Sequence, residues 1–225
     1  MRAQITCSDR SCSRSSVAAI GDGSAGGTYG ERQRNADMHL QDATGSGREP
    51  FFTVGHSNRS IEEFIQILRD ANIRVVADVR RLPGSRAYPQ FDGDRLAASL
   101  AEVQIAYEHV TLLGGRRGKA GAVPAEVNAV WRNKSFHNYA DYALSEEFRE
   151  GFDRVVELGV GRRCAIMCSE AVWWRCHRRL IADRLLARGE DVFHLMGNGR
   201  TEPAAPTPGA VFRVDGTVIY PGTAA

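Results

Sequence analysis

The feature that most constrains this chain is a repeated alternation of short apolar runs with longer segments of helical period. FFTVG at 51–55, RVVADVR at 74–80, CAIMC at 164–168 and DVFHLMG at 191–197 have the length and composition of buried strands. A further strand is expected near IAYEHV at 105–110. Between them lie amphipathic stretches. Ser60 and Glu63 have the spacing of a capping box, and Ile61, Phe64, Ile65 and Leu68 then share one face. A helix is expected over roughly 95–103. Residues 124–158 are expected to be mostly helical, with a restart near Ser145 and Phe148. RCHRRLIADRLLARG is expected to form a helix stopped by Gly189. Strand–helix alternation of this kind predicts an α/β fold with a mostly parallel sheet covered by helices on both faces.

The ends of the chain read differently. Residues 1–49 are rich in Ser, Gly, Arg and Asp, too poor in apolar side chains to offset the entropy of ordering, so a disordered tail is expected there. Met38, just before the folded part, is an alternative start. The α/β domain is expected over 50–200. Residues 201–225 read as a Pro-rich connector, TEPAAPTPGA, followed by a terminal hairpin on the Asp215–Gly216 turn. The N-terminal stretch is polar, and no apolar run approaches the roughly 20 residues of a membrane helix, so a cytoplasmic protein without membrane association is expected. A net charge of only +2 means that any site for an anion must come from local clustering. Five cysteines in a reducing compartment point to free thiols, catalysis or metal ligation before disulfides.

In parallel sheets, ligands bind beyond the carboxyl ends of the strands. Here those ends run into GHSNRS, RRLPGSR and SEAVWWR, and CAIMCSEAVWWRCHRRLIAD concentrates the chemistry. Cys168 closes a strand, Glu170 follows it, and Cys176 and His177 fall at the start of a helix. A helix N-terminus and nearby arginines favour thiolate over thiol, so Cys168 or Cys176 is a candidate nucleophile or redox thiol. His177 and Glu170 are candidate acid/base groups, with Glu170 able to orient the histidine. Arg80 and Arg178 are expected to hold an anion. Asp78, at the end of an apolar strand, needs a partner, and an arginine would supply it. Cys164, within the strand, reads as core.

Other chemistries fit less well. C-x7-C-H is not a standard zinc-finger or ribbon spacing, and no second CxxC pair exists, so no metal is expected. SEAVWW lacks the small residues and glycine with which a cysteine phosphate loop wraps its anion. A nucleotide or nucleic-acid binding module without turnover is the competing reading. Its support is the arginine density in RRLPGSR, GGRRGK and WRCHRR, with Trp173, Trp174, Tyr88 and Phe91 available to stack. The expected partner is therefore an anionic small molecule or a nucleic acid. Cofactor and oligomeric state stay open.

TVGHSNRSIEEFIQIL, VVADVRRLPGSR, the following PQF, LGGRRGK and MCSEAVWWRCHRRLIAD together resemble the domain of unknown function 488 family, over roughly residues 51–200. The resemblance implies a compact α/β fold with a polar pocket. Carried over residue by residue, it points to Gly55, His56, Ser57, Asp78, Arg80, Ser85, Cys168, Glu170, Cys176, His177 and Arg178. It implies no reaction. The chain departs from the family's commoner form in carrying VWW before Cys176, separated from it by Arg175, where a short polar stretch with proline is more usual.

Overall fold

The computed structural model describes residues 48–222. The expected tail, apart from its last two residues, and the alternative start at Met38 lie outside the described residues. The sheet has six strands: β1 (Phe51–Gly55), β2 (Val75–Asp78), β3 (Ala106–His109), β4 (Cys164–Cys168), β5 (Val192–Gly197) and β6 (Arg200–Pro203). Their spatial order is β3-β2-β4-β1-β5-β6. The first five are parallel, and β6 runs antiparallel to β5 at the edge.

Among the described residues, five helices flank the sheet: α1 (Ile61–Asp70), α2 (Gly93–Glu102), α3 (Lys134–Tyr142), α4 (Glu146–Gly159) and α5 (Arg178–Ala187). Four of them begin or end for a local reason. Ser60 and Glu63 form the capping box of α1, with both reciprocal bonds made. Asn133 caps α3, and Ser145 caps α4 by accepting from the Phe148 amide. Gly189, with φ +81°, follows the end of α5, where a left-handed residue favours glycine. The helix expected at 95–103 begins slightly earlier, at Gly93.

Strand alternation sends side chains into two cores. Phe52, Val54, Val76, Ala165 and Met167 pack against Phe64 and Leu68 of α1 and Leu96 and Leu100 of α2. Cys164, Ile166 and Cys168 face the other way, onto Tyr139, Phe148, Val155, Leu180 and Ile181 of α3, α4 and α5. Burial of this apolar surface from water is the main stabilising term. The connections after β1 and β2 therefore leave toward one face, and the connection after β4 toward the other. Because β4 lies between β1 and β2, the chain divides at that point, and a crevice opens beyond the strand ends.

The C-terminal segment departs from expectation in three ways. Residues 200–203, expected as the end of the domain and the beginning of a connector, form the sixth strand. Val218 and Tyr220 are buried in the core, and the Tyr220 hydroxyl donates to Asp183 at 2.8 Å. The hairpin itself forms, pairing β7 (Val211–Phe212) with β8 (Val218–Ile219). Its turn is longer than the expected two residues: the Gly216 amide bonds to Arg213, and Gly216 takes φ +75°, the geometry of a turn closed by a glycine bulge.

Candidate functional site

The crevice holds a cleft of about 880 Å³, walled by the segments that follow β1, β2, β3 and β4 and by the start of α5. The loops after β1 and β4 run side by side, joined by the His56 amide to Cys168 O and the Ser57 amide to Ser169 O, both 3.0 Å. Gly55 makes this possible. A Cβ there would stand 1.8 Å from the Glu170 carbonyl oxygen, so only glycine lets the two backbones meet.

Two thiols and one imidazole form the floor. Cys168 closes β4, Cys176 lies two residues before α5, and His177 is the cap position of that helix. Cys168 and Cys176 are 5% and 2% exposed respectively. They belong to the edge of an apolar core, yet both border the cleft. His177 Nδ1 lies 3.7 Å from Cys176 Sγ and 4.0 Å from Cys168 Sγ. On the other side of the ring, Nε2 meets the Val79 carbonyl at 3.1 Å. A carbonyl can only accept, so Nε2 carries a proton and Nδ1 faces the sulfurs. Both nitrogens are thus accounted for, and Val79, not Glu170, orients the ring. The expectation that Glu170 would do so fails because its side chain is exposed on the cleft wall. Tyr139, bonded to Leu113 O, tilts over the imidazole at 4.9 Å. Gly115 covers it closely: a Cβ there would lie 2.9 Å from Nδ1.

The two thiols are inequivalent. The Cys168 thiol is held well below its ordinary range, first by a hydrogen bond from Cys176, then by His177 and by the positive potential of Arg178, all against the opposing effect of burial. The Cys176 thiol is pushed well up by burial and then by its hydrogen bond with Cys168. The two shifts run in opposite directions, which favours thiolate at Cys168 over Cys176.

A second cluster lies on the α2 side. Asp78 is fully buried and accepts from Arg80 Nε at 2.9 and 3.0 Å, from Arg80 Nη2 at 2.6 Å and from the Tyr107 hydroxyl at 2.7 Å. Arg80 Nη1 donates to Phe91 O at 2.8 Å and faces His56 Nε2 at 3.4 Å. His56 stacks on Phe91 at 4.2 Å, and its Nδ1 bonds to Ser57 O. Burial lowers its pKa.

His56, Ser57, Arg80, Ser85, Glu170 and the floor residues all border the cleft. Gly55, Asp78 and Arg178 lie beneath it. Arg178, only 1% exposed, donates from Nη1 to Val54 O at 2.6 Å and from Nη2 to Ala171 O at 3.2 Å. The expectation that Arg80 and Arg178 hold an anion is corrected accordingly: the bonds they make go to Asp78, His56 and protein carbonyls, and Arg178 Nε is buried without a partner. Guanidinium groups from Arg81, Arg116 and Arg175, all exposed, border the cleft instead, with Tyr88 and Phe136 as aromatic wall. Trp173 stacks on His194 at 4.3 Å and is packing.

Residues 60–185, more than half of the chain, match the family described as domain of unknown function DUF488. The chain belongs to the DUF488 family. The match takes in Asp78, Arg80, Cys168, Glu170, Cys176, His177 and Arg178, the residues that build the floor of the cleft and its foundation. Comparisons with curated proteins and with solved structures return no match.

Several participants carry no signal in the sequence. Tyr139 reads as one more residue of a helical stretch, and Gly115 as one glycine of a basic loop. The Val79 carbonyl has no side chain to mark it.

The spacing that argued against metal ligation also reads differently in three dimensions. A strand end and a helix start fold Cys168, Cys176 and His177 together, with their ligand atoms all within 4.8 Å of one another. Among the described residues, no helix is long and apolar enough to cross a membrane.

Proposed function

We infer that the protein is a cysteine-dependent enzyme acting on an anionic, phosphate-bearing or nucleotide-like substrate, with Cys168 as nucleophile. The observation that carries this reading is the position of Cys168: at the floor of a cleft, with Cys176 and His177 Nδ1 around its sulfur and Arg81, Arg116 and Arg175 at the rim. The lowered pKa of the Cys168 thiol supports it.

In the reaction so envisaged, His177 Nδ1 takes the Cys168 proton. The thiolate attacks an electrophilic centre beside the anionic group, forming a sulfur–substrate bond and breaking the bond to the leaving group. The leaving group receives the proton from Nδ1. Water then attacks the intermediate, gives its proton to Nδ1 and restores the thiolate. The rim arginines hold the anion throughout, and the carbonyl of Val79 keeps the ring in register.

Labelling of folded, chelator-stripped and reduced protein with iodoacetamide across a pH series, resolved by site with mass spectrometry, tests the assignment. Cys168 should label with a midpoint well below that of free cysteine and lose this behaviour in His177→Gln. A Cys168 that reacts no faster than free cysteine at neutral pH defeats the nucleophile assignment.

A second reading, nucleotide binding without turnover, has its own support in Tyr88, 38% exposed on the cleft wall beside the rim arginines. Binding of a mononucleotide that weakens steeply with salt and is unchanged in Cys168→Ser favours it over the enzyme.

A further inference from the structure

The three groups on the cleft floor also have the arrangement of a ligand set. Cys168 Sγ, Cys176 Sγ and His177 Nδ1 all lie within 4.8 Å of one another, with Nδ1 at 3.7 and 4.0 Å from the two sulfurs. An ion bound at about 2.3 Å from sulfur and about 2.0–2.1 Å from nitrogen in tetrahedral geometry sets its ligands roughly 3.5–3.8 Å apart, so closure around it takes at most about 1 Å of contraction.

Three further observations point the same way. His177 Nε2 is bonded to the Val79 carbonyl at 3.1 Å, which places a proton on Nε2 and aims Nδ1 between the sulfurs. That outer bond is the usual second partner of a metal-bound histidine. Two sulfurs and an imidazole select thiophilic ions and select against magnesium or calcium, which prefer oxygen. Two thiolates also cancel the charge of a dication, so Arg178 beneath the floor does not oppose it. All three ligands border the cleft, and three protein ligands leave one tetrahedral position free on that side.

We propose that Cys168, Cys176 and His177 bind one thiophilic divalent ion of the zinc type, with its fourth position open to the arginine-rimmed cleft. That position takes a water molecule or an anionic group of the cleft ligand. The assignment goes beyond thiol attack and competes with it, since a coordinated Cys168 sulfur is no longer a free nucleophile. Ion loading therefore silences Cys168 toward alkylation.

Cobalt(II) is the probe, because sulfur ligation gives thiolate-to-cobalt charge-transfer absorption and a tetrahedral ion gives intense visible bands. Full-length protein, stripped with chelator and kept reduced, is titrated with Co2+. One equivalent should bring up both features, and Zn2+ should then displace them. Cys168→Ser, Cys176→Ser and His177→Gln should each weaken binding by more than the roughly ten- to hundredfold typical of losing an outer partner. Cys164→Ser should leave the spectrum unchanged. So should Cys7→Ser with Cys12→Ser, which removes the N-terminal thiols as competitors.

Circular dichroism of each variant establishes that it is folded. Should Cys168→Ser alone misfold, protection of Cys168 from iodoacetamide by one equivalent of Zn2+ in the unaltered protein serves in its place. Absence of the charge-transfer band, its survival in both site-cysteine variants, or its loss with Cys7 and Cys12 overturns the proposal. Failure to bind cobalt leaves the alkylation of metal-free Cys168 untouched, so the two assignments fail separately.

Discussion

Cys164 and Cys168 stand at opposite ends of the same strand, on the same face, and both belong to the core formed with α3, α4 and α5. At the first end, burial pushes the Cys164 thiol up to about 12. At the second, a thiol donor, an imidazole and a guanidinium hold Cys168 well below its ordinary range despite burial nearly as deep. The comparison separates residue type from environment. A buried cysteine is inert by default, because low polarity disfavours the thiolate. It becomes reactive only where hydrogen-bond donors and positive potential outweigh that penalty. In a parallel sheet such groups gather at the carboxyl ends of strands, where loops and helix starts converge.

The largest expected effect is the labelling contrast itself. At pH 7 a thiol with a pKa near 12 is ionised to about one part in 10^5. Cys164 should therefore remain unlabelled in folded, chelator-stripped protein while Cys168 is modified. Comparable labelling of the two would erase the contrast. The sign with pH is also set. Cys168 has a depressed folded pKa, so its contribution to stability is complete above the unfolded thiol value near 8.5 and is lost as pH falls through the folded value. Cys164 works the other way: its contribution is complete below the unfolded value and is lost as pH rises toward 12. Chemical denaturation of Cys164→Ala and Cys168→Ser across pH measures both limbs.

Arg178→Leu sharpens the comparison from below the floor. It removes two charge-assisted bonds to Val54 O and Ala171 O and should cost about 3 kcal/mol of stability. It should also raise the labelling midpoint of Cys168 and leave Cys164 alone. An unchanged midpoint in folded protein would mean that Arg178 contributes structure only.

Two glycines of one loop offer a matched pair. Gly115→Ala places a methyl 2.9 Å from His177 Nδ1, and relief of that overlap should cost roughly 1–3 kcal/mol while turning the ring away from the sulfurs. A Cβ on Gly118 meets nothing within 4 Å, so Gly118→Ala should change stability by less than about 1 kcal/mol and leave Cys168 labelling as it is. Equal labelling profiles for the two variants would remove His177 from the account of Cys168.

The smallest expected effect is at the inert end. Cys164→Ala leaves a small void in the core and should cost about 1 kcal/mol, with Cys168 labelling intact. A loss of labelling there would show that the two ends of β4 are not independent.

Much of the architecture was readable in advance, for reasons that lie close together along the chain. The capping box at Ser60, the restart at Ser145 and the stop at Gly189 each depend on residues within four positions of one another. The site was placed at the strand ends by the alternation of elements, and Asp78 found the arginine partner it needed only two residues away. What escaped was remote. The sixth strand was missed because Arg-Thr-Glu-Pro has none of the apolar alternation of a strand; it sits at an edge and takes its ladder from β5. Arg178 was expected at the ligand because Cys, His, Glu and Arg converge at one edge of the sheet. Its actual acceptor, Val54 O, lies 124 residues away.

From sequence alone came the nature of most elements, several of the caps that bound them, the parallel sheet that follows from their alternation, and the rim on which thiol, imidazole and carboxylate would collect. These rest on propensity and on side chains a few positions apart, which the order of residues states directly. Tertiary structure alone decided which nitrogen of His177 faces sulfur, which of two cysteines has its pKa lowered, and which arginines bond to the protein's own carbonyls. Each of those depends on strand register and on burial, and both arise only when segments from distant parts of the chain are packed against one another.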